Sequence, residues 1–348
     1  MLKKLVNEAY CTLRITTTGP LLVKSGGATI IGPDMTPVLT YRNGKQEIFI
    51  PGSSLKGVFR SHIEKIVCSL KSRVVCYPFA GHDNKEVDLT QRRKDYRDSC
   101  SDLQTTLAKD TLMRAKLDAE TDFVYEHSCP TCRLFGSTGF IGRMAIGDAY
   151  LVSESITEQR DGIGIDRFTG GASHSAKFEL EVVSSGVSFE TNIHLRNFEI
   201  WQLGMLFVVL QDLEDELIRL GSGRSRGLGS VKAQISAVGQ HNQPGGFVTS
   251  TIRDSAEPSD ELWGLGRWLE DGSYGTWSDD LIRLDELKLD PAIERNKKGI
   301  RVQRSFQDQN LVKLREVCID NFVARMQHWP DKHFEQFVAE TAGSKRGR

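Results

Sequence analysis

Alternating apolar and polar residues mark the first two thirds of the chain as rich in strands. Residues 10–24 (YCTLRITTTGPLLVK) alternate and are rich in Thr, Leu and Val, which predicts a first strand. Ile48-Phe49-Ile50 predicts a short strand that Pro51-Gly52 ends. Further strands are predicted at 143–152, 177–184, 187–196 and 230–237, the middle two joined as a hairpin at Ser185-Gly186.

Two segments instead repeat their apolar residues at helical spacing. A helix over 55–71, capped by Ser53 or Ser54, carries Leu55, Val58, Phe59, Ile63, Ile66, Val67 and Leu70. A second helix over 198–220 carries Ile200, Leu203, Leu206, Phe207, Leu210, Leu213, Leu217 and Leu220.

The order strand, helix, strand, strand, helix, strand predicts an α+β fold with a ferredoxin-like (RRM-like) core. Residues 77–126 are polar and irregular, as in an insertion, and 155–176 form a second long loop. Composition shifts after the linker at 243–246. We therefore expect a core over 1–240 and an extension over 241–348 that docks other subunits.

Composition narrows the class of protein only slightly. The 348 residues are 39% hydrophobic and 26% charged, with a net charge of -1, so any polyanion partner must be held by local clusters of cations. No apolar run approaches the ~20 residues of a membrane span. The start of the chain lacks signal-peptide features, and the seven cysteines are an odd number, so a reducing, cytoplasmic location is expected.

Two glycine-containing segments are typical of phosphate-binding sites. In IPGSSLKGVFR, Ser53 and Ser54 open a helix whose first turns carry Lys56 and Arg60 on one face. In GSGRSRGLGS (221–230), glycines allow close backbone approach while Arg224 and Arg226 can bind phosphates. A plain helix cap and a flexible turn are the structural alternatives.

The loop 159–176 (QRDGIGIDRFTGGASHSA) is the third glycine-rich segment. Ile163, Ile165 and Phe168 are isolated apolar residues in polar surroundings, as in a projecting hairpin that inserts between bases. A disordered surface loop is the alternative. His174 is a candidate acid–base group, although a solvated histidine is the commoner case.

A metal site is predicted from H-x-C-x-x-C, which comprises His127, Cys129 and Cys132. Structural zinc takes four such ligands. The candidates for the fourth ligand are Cys76, His82 and Cys100, of which Cys76 is preferred. Free thiols are the alternative reading.

Four segments together, PGSSLKGVFR, CRLFGSTGF, GIGIDRFTGGA and GSGRSRGLGS, closely resemble the RAMP superfamily of CRISPR-associated proteins in their order and spacing. Within that superfamily they look like the backbone subunit of type III effector complexes. The resemblance covers roughly residues 10–238. It implies guide (CRISPR) RNA, target RNA and other effector subunits as partners.

The resemblance also implies roles for individual residues. Guide-RNA contacts are implied for Ser53, Ser54, Lys56, Arg60, Arg133, Arg160, Arg167, Gly223, Arg224 and Arg226. The segment 165–171 matches a thumb-like hairpin that wedges between guide and target. Asp34, in IIGPDMTPV, matches an aspartate that helps cleave target RNA with a divalent metal such as Mg²⁺, although on chemistry alone it is a turn former.

Three functions therefore compete. The first is a guide-dependent, metal-dependent endoribonuclease subunit with Asp34 as its catalytic residue. The second is a non-catalytic scaffold of the same complex. The third is a free-standing nuclease that matures the guide precursor, for which His174 is the available histidine.

Overall fold

The computed structural model of the protein describes residues 4–26, 32–77, 96–97, 99–101, 121–237, 245–253, 255–289 and 296–330. Its strands are β1 (Asn7–Thr17), β2 (Leu39–Arg42), β3 (Lys45–Ile50), β4 (Gly136–Ser137), β5 (Phe140–Ile141), β6 (Met144–Ile146), β7 (Ala149–Leu151), β8 (Thr157–Ile165), β9 (Ala172–Val183), β10 (Ser188–Arg196), β11 (Val231–Ile235), β12 (Phe247–Ile252), β13 (Glu261–Trp263), β14 (Leu281–Arg283), β15 (Asn296–Lys298) and β16 (Arg301–Phe306). Its helices are α1 (Gly52–Leu70), α2 (Thr121–His127), α3 (Pro130–Phe135), α4 (Ile200–Glu214), α5 (Leu265–Leu269) and α6 (Asp308–Gln327).

Strand β1 is the centre of the main sheet. Antiparallel β10 pairs along one edge, and the broken strand β6–β7 lies beyond it. The other edge is shared, because β11 pairs with residues 13–17 and β12 with residues 7–10. The order β11, β1, β10, β6–β7 is the fourth, first, third and second strand of a ferredoxin-like core, which confirms the predicted architecture.

The core lies on one face of this sheet. Along β1, Ala9, Cys11, Leu13 and Ile15 are buried, as the period of two in a half-covered strand requires. Helices α1 and α4 cover that face. The buried stripe of α1 is Leu55, Phe59, Ile63 and Val67, so the predicted helical periodicity is confirmed.

Residues after 240 extend the same sheet and core. Strand β12 joins β1, and β16 joins β12 in antiparallel register. Helix α6 packs on α4 so closely that a Cβ on Gly204 would lie 2.1 Å from the carbonyl oxygen of Cys318. Within the described residues, the segment expected as an extension therefore shares its hydrophobic core with the preceding segment.

Several predicted elements differ from the structure. Helix α1 begins at Gly52 after Pro51, so neither Ser53 nor Ser54 caps it, and the first strand ends at Thr17 rather than at residue 24. The strand over 143–152 is interrupted at residues 147–148, where Asp148 accepts a hydrogen bond from the Gly52 amide. Helix α4 ends at Glu214 because Glu216 adopts a left-handed conformation at φ 59°. Strand β9 pairs with β8 and not with β10, so the predicted hairpin at Ser185-Gly186 is wrong.

Most of the predicted insertion 77–126, with the candidate ligand His82, lies outside the described residues. Within the described part of the chain, no helix is long and apolar enough to cross a membrane.

Candidate nucleic-acid interface and metal centre

The glycine loop (residues 221–230) is fixed against the segment that follows β1. Gly221 and Gly229 have φ angles of +73° and +87°, and a Cβ on either would lie within 2.3 Å of a backbone oxygen, so both positions require glycine. The amide of Ser222 donates to the carbonyl of Leu22 at 2.7 Å. Between these anchors, residues 224–226 form a 3-10 turn. Both Arg224 and Arg226 are exposed on it, where a phosphate could reach them.

The loop that carries Asp34 is bound to the base of the β8–β9 hairpin. The amide of Glu179 donates to Asp34 Oδ2 at 2.8 Å. Backbone hydrogen bonds join Met35 to Glu179 and Glu181 at 3.2 and 2.9 Å. The Asp34 side chain is nevertheless exposed, so the hairpin fixes the position of a carboxylate that remains accessible to solvent.

The β8–β9 hairpin ends in a tight turn with an exposed apolar tip. Asp166 Oδ1 accepts the amides of Phe168 and Thr169 at 2.7 and 3.0 Å, and these bonds lower the pKa of Asp166. Phe168 is fully exposed, and Ile163 and Ile165 are 52% and 64% exposed. The prediction of isolated apolar residues on a projecting hairpin agrees with this geometry.

Two predicted RNA contacts lie on the same hairpin. Arg167 is exposed beside the tip, and Arg160 is exposed on β8, where Glu158 pairs with it at 2.8 Å. A surface ion pair of this kind contributes little, so Arg160 can exchange its partner for a phosphate at small cost.

A cavity of about 350 Å³ lies where the glycine loop, the Asp34 loop and the hairpin base meet. Leu22, Met35, Phe178, Leu180 and Leu228 give it apolar walls, and Lys24, Arg160 and Arg226 add positive charge. The structure thus brings Gly223, Arg226, Arg160 and the Asp34 loop together. Lys24 and Phe178 were not predicted, because neither lies in a recognisable motif and only the hairpin register places them here.

The start of α1 is a separate exposed site. Ser53 and Ser54 are exposed, and no side chain caps the helix. Gly52 packs against β6, where a Cβ would lie 2.4 Å from the Ile146 carbonyl oxygen, so the chain can enter the helix here only through glycine. Lys56 is half-buried, and burial, with a smaller effect of Arg60, lowers its pKa. These three side chains are consistent with the predicted anion site.

Arg60 faces the protein interior more than the solvent. Its guanidinium donates to Glu64 at 2.8 Å, to the Gly136 carbonyl at 3.0 Å and to Cys132 Sγ at 3.2 Å. With these three partners and 23% side-chain exposure, Arg60 connects α1 to the cysteine segment. The spacing in the sequence predicted that Arg60 lies beside Lys56, but it could not show these three hydrogen bonds.

The prediction that Arg133 contacts RNA is wrong. Arg133 is only 2% exposed, and its guanidinium donates to the carbonyls of Glu126 and Gly275. It also lies 4.6 Å above the Trp329 ring and 3.9 Å from the Glu199 carboxylate. Since a buried charge needs such partners, the Arg133 guanidinium is engaged inside the protein and is not exposed to a phosphate.

Four buried cysteines form a cluster beside α1. The Sγ atoms of Cys76, Cys100, Cys129 and Cys132 all lie within 4.8 Å of one another, and those of Cys76 and Cys132 are 3.6 Å apart. Tetrahedral zinc with Zn–S bonds of ~2.3 Å would place sulfurs ~3.8 Å apart. The donor set and its spacing therefore fit structural zinc.

Hydrogen bonds around the cluster fit thiolate ligands. The amides of Cys129 and Cys132 donate to the sulfurs of Cys100 and Cys129, at 3.2 and 3.4 Å. Burial raises the pKa of Cys129, but hydrogen bonds from Cys100, Cys132 and Cys76 lower it well below its ordinary range. Hydrogen bonds with Cys100 and Cys129 raise the pKa of Cys76 and of Cys132, so without a metal the protons of the cluster stay on these two sulfurs. Backbone and side-chain donors of this kind orient metal ligands in known sites.

His127 is not part of this cluster, and that predicted ligand is corrected to Cys100. Helix α2 ends at His127, whose carbonyl accepts a hydrogen bond from Arg97, and the chain then turns before Cys129. The backbone pairing of residues 75–77 with Arg97 brings Cys76 and Cys100 together at the site. Cys100 was one of three candidates for the fourth ligand. Because it lies far from Cys129 and Cys132 along the chain, the sequence alone did not show that it is close to them in space.

Comparison with known families identifies the chain at the level of the superfamily. The family model of the RAMP superfamily matches residues 14–232. That is more than half of the chain, so the protein belongs to the RAMP superfamily. Membership of this family supports a role in CRISPR-associated RNA binding, and some members of the family are RNA endonucleases. Among curated proteins, no sequence matches the chain.

Proposed function

We propose that the protein is a backbone subunit of a type III CRISPR effector complex that binds guide RNA and cleaves paired target RNA. The observation that carries this proposal is that the loop bearing Asp34, the base of the β8–β9 hairpin and the glycine loop meet at one cavity lined by three cations. Family membership supports the RNA-binding part.

The guide RNA would be held by charge and shape without reading its sequence. Arg224, Arg226 and Lys24 lie on or beside the glycine loop, and Ser53 and Ser54 present exposed side chains in the first turn of α1. Such groups bind phosphates irrespective of the base. Base pairing between guide and target would supply the sequence specificity.

Cleavage would use the 2′-hydroxyl of a distorted target nucleotide. Its oxygen forms a bond to the adjacent phosphorus as the bond from that phosphorus to the 5′-oxygen of the next nucleotide breaks. Asp34 would accept the hydroxyl proton, and the departing 5′-oxygen would take a proton from water. The exposed apolar tip of the hairpin would distort the duplex so that the attacking and leaving oxygens can come into line.

A divalent ion such as Mg²⁺ would neutralise charge that develops on the phosphate. Among the described residues, no group of three or more metal-ligand side chains includes Asp34. In a mechanism where Asp34 held the ion instead of taking the proton, phosphate oxygens and water would complete the coordination of the ion.

A non-catalytic scaffold of the same complex is the second candidate. The hydrogen bond from the Glu179 amide gives Asp34 a structural role that needs no catalysis. A complex carrying Asp34→Asn, which keeps an acceptor for that amide, separates the two functions. The alternative of a guide-processing nuclease depends on His174, whose side chain lies outside the described part of the structure.

Replacing Arg224 and Arg226 together by alanine should weaken binding of single-stranded RNA. Loss of two phosphate contacts should reduce the steepness of the slope of log K against log salt concentration by about 1.4. At moderate salt we expect roughly 10-fold weaker binding, measured by fluorescence anisotropy at several KCl concentrations.

The matched control for this pair is Arg283→Ala. Arg283 is an exposed arginine on β14, within the small sheet β13–β14, and should leave the affinity and its salt dependence unchanged. If the double variant kept the wild-type salt dependence, the glycine loop would not be a phosphate contact.

Phe168→Ala should reduce target cleavage in the assembled complex without loss of guide binding. The fully exposed ring offers the largest apolar surface at the hairpin tip, and without it the target nucleotide would be less well aligned. Misalignment of this kind costs roughly 10–100-fold in rate. Single-turnover cleavage of labelled target measures it, with Ile300→Ala, another exposed turn residue, as the control.

A further inference from the structure

We propose that the cavity between the hairpin base and the glycine loop is a pocket for one unpaired nucleobase of the bound RNA. This inference rests on the RNA-binding function proposed for the chain. It adds a contact to the base itself, whereas the cations around the cavity account for contacts to the backbone only.

One wall of the cavity carries an aromatic ring, that of Phe178. Gly162 and Phe178 are directly paired across β8 and β9. A Cβ on Gly162 would lie 2.1 Å from the Phe178 ring, so the ring lies across the glycine and no larger residue fits beneath it. Gly162 thereby fixes Phe178, a half-buried residue, as a platform that lines the cavity.

The remaining apolar surface comes from the glycine loop and from the segment after β1. Leu228 is buried and, together with Leu22, lines the cavity. Gly223 has a φ of +70°, and a Cβ there would lie 2.7 Å from Leu228 Cδ1, so the loop conformation holds Leu228 against it. Apolar walls that include an aromatic ring suit a planar base, because every base has a π surface.

Charge at the cavity distinguishes a nucleotide from other planar ligands. Lys24, Arg160 and Arg226 line it, and the Arg226 guanidinium lies 5.8 Å from the centre of the Phe178 ring. Among the described residues of the lining, the one acidic side chain is that of Asp161, which pairs with Lys177 at 3.2 Å. A purely apolar ligand would not need three cations, and a free phosphate would not need these walls. A volume of about 350 Å³ is at the small end of ligand pockets and suits one base.

The full-length chain can be tested with two labelled probes of equal length. One is a single-stranded RNA, and the other is a sugar–phosphate oligomer without bases. Phe178→Ala should weaken RNA binding about 10-fold, since stacking of one base contributes that much, and should leave binding of the baseless probe unchanged. Phe178→Trp should retain the RNA affinity. RNA but not the baseless probe should quench the fluorescence of the added tryptophan, measured as the difference from the wild type with its five tryptophans.

The outcomes separate the pocket from RNA binding in general. If the wild-type chain bound neither probe, both the proposed function and the pocket would be overturned. If it bound RNA while Phe178→Ala matched the wild type and Phe178→Trp showed no quenching, the pocket alone would be overturned. If Phe178→Ala failed to fold, the quenching of Phe178→Trp would decide the question.

Discussion

Asp34→Asn is expected to abolish cleavage of target RNA by the reconstituted complex while assembly and guide binding stay intact. Asparagine retains an oxygen that can accept the Glu179 amide, but it cannot take up a proton or hold a cation as a carboxylate does. We expect the single-turnover rate to fall by about 100-fold or more. Gel analysis of labelled target, with native gels for assembly, measures both quantities.

Two further variants make this result interpretable. Asp34→Ala removes the acceptor as well as the charge, so cleavage that is lost in the alanine variant but kept in the asparagine variant would show a structural role only. Asp271→Asn is the matched control, because Asp271 is also an exposed aspartate that accepts a backbone amide, from Ser273 at 2.9 Å. Unchanged cleavage by Asp34→Asn would leave the scaffold function in place.

Cys132→Ser is expected to release zinc and to destabilise the protein by several kcal/mol, since binding energy at a structural zinc site is folding energy. Serine leaves three thiolates around the ion and removes the sulfur that Arg60 contacts. The purified wild type should contain about one zinc per chain, and a strong chelator should lower its melting temperature as the substitution does.

Elemental analysis and thermal unfolding measure the two effects. Cys68→Ser is the control, because Cys68 is a half-buried cysteine on α1 outside the cluster and should keep the zinc. A wild-type protein without bound metal, or a Cys132→Ser variant with full zinc content, would show that the four sulfurs act only as buried thiols.

The sequence pattern predicted the elements that depend on local chemistry. The apolar spacing of α1 and the alternation in β1 correspond to the buried stripe and the buried face observed. The glycine loop was also predictable, because Gly221 and Gly229 occupy conformations that other residues avoid. In each case the cause acts over a few residues, so the sequence alone carries the information.

Features that depend on distant residues could not be predicted in the same way. Arg133 belongs to a motif that resembles RNA-binding segments, yet partners such as Gly275 and Trp329 from the far end of the chain bury it. Strand β9 could pair with either neighbour, and Gly162 and Gly164 opposite Phe178 and Ala176 favour β8, since glycines there leave room for those side chains.

The order in which β1 acquires its partners has a consequence for synthesis of the protein. β1 is made first, but β10, β11 and β12 follow only at residues 188–252. Contacts this distant in sequence form slowly, because a long loop must close before the pairing stabilises it. On the ribosome, both edges of an apolar strand therefore stay open until most of the chain has emerged. We expect folding to depend on chaperones or on a slow elongation rate during that interval.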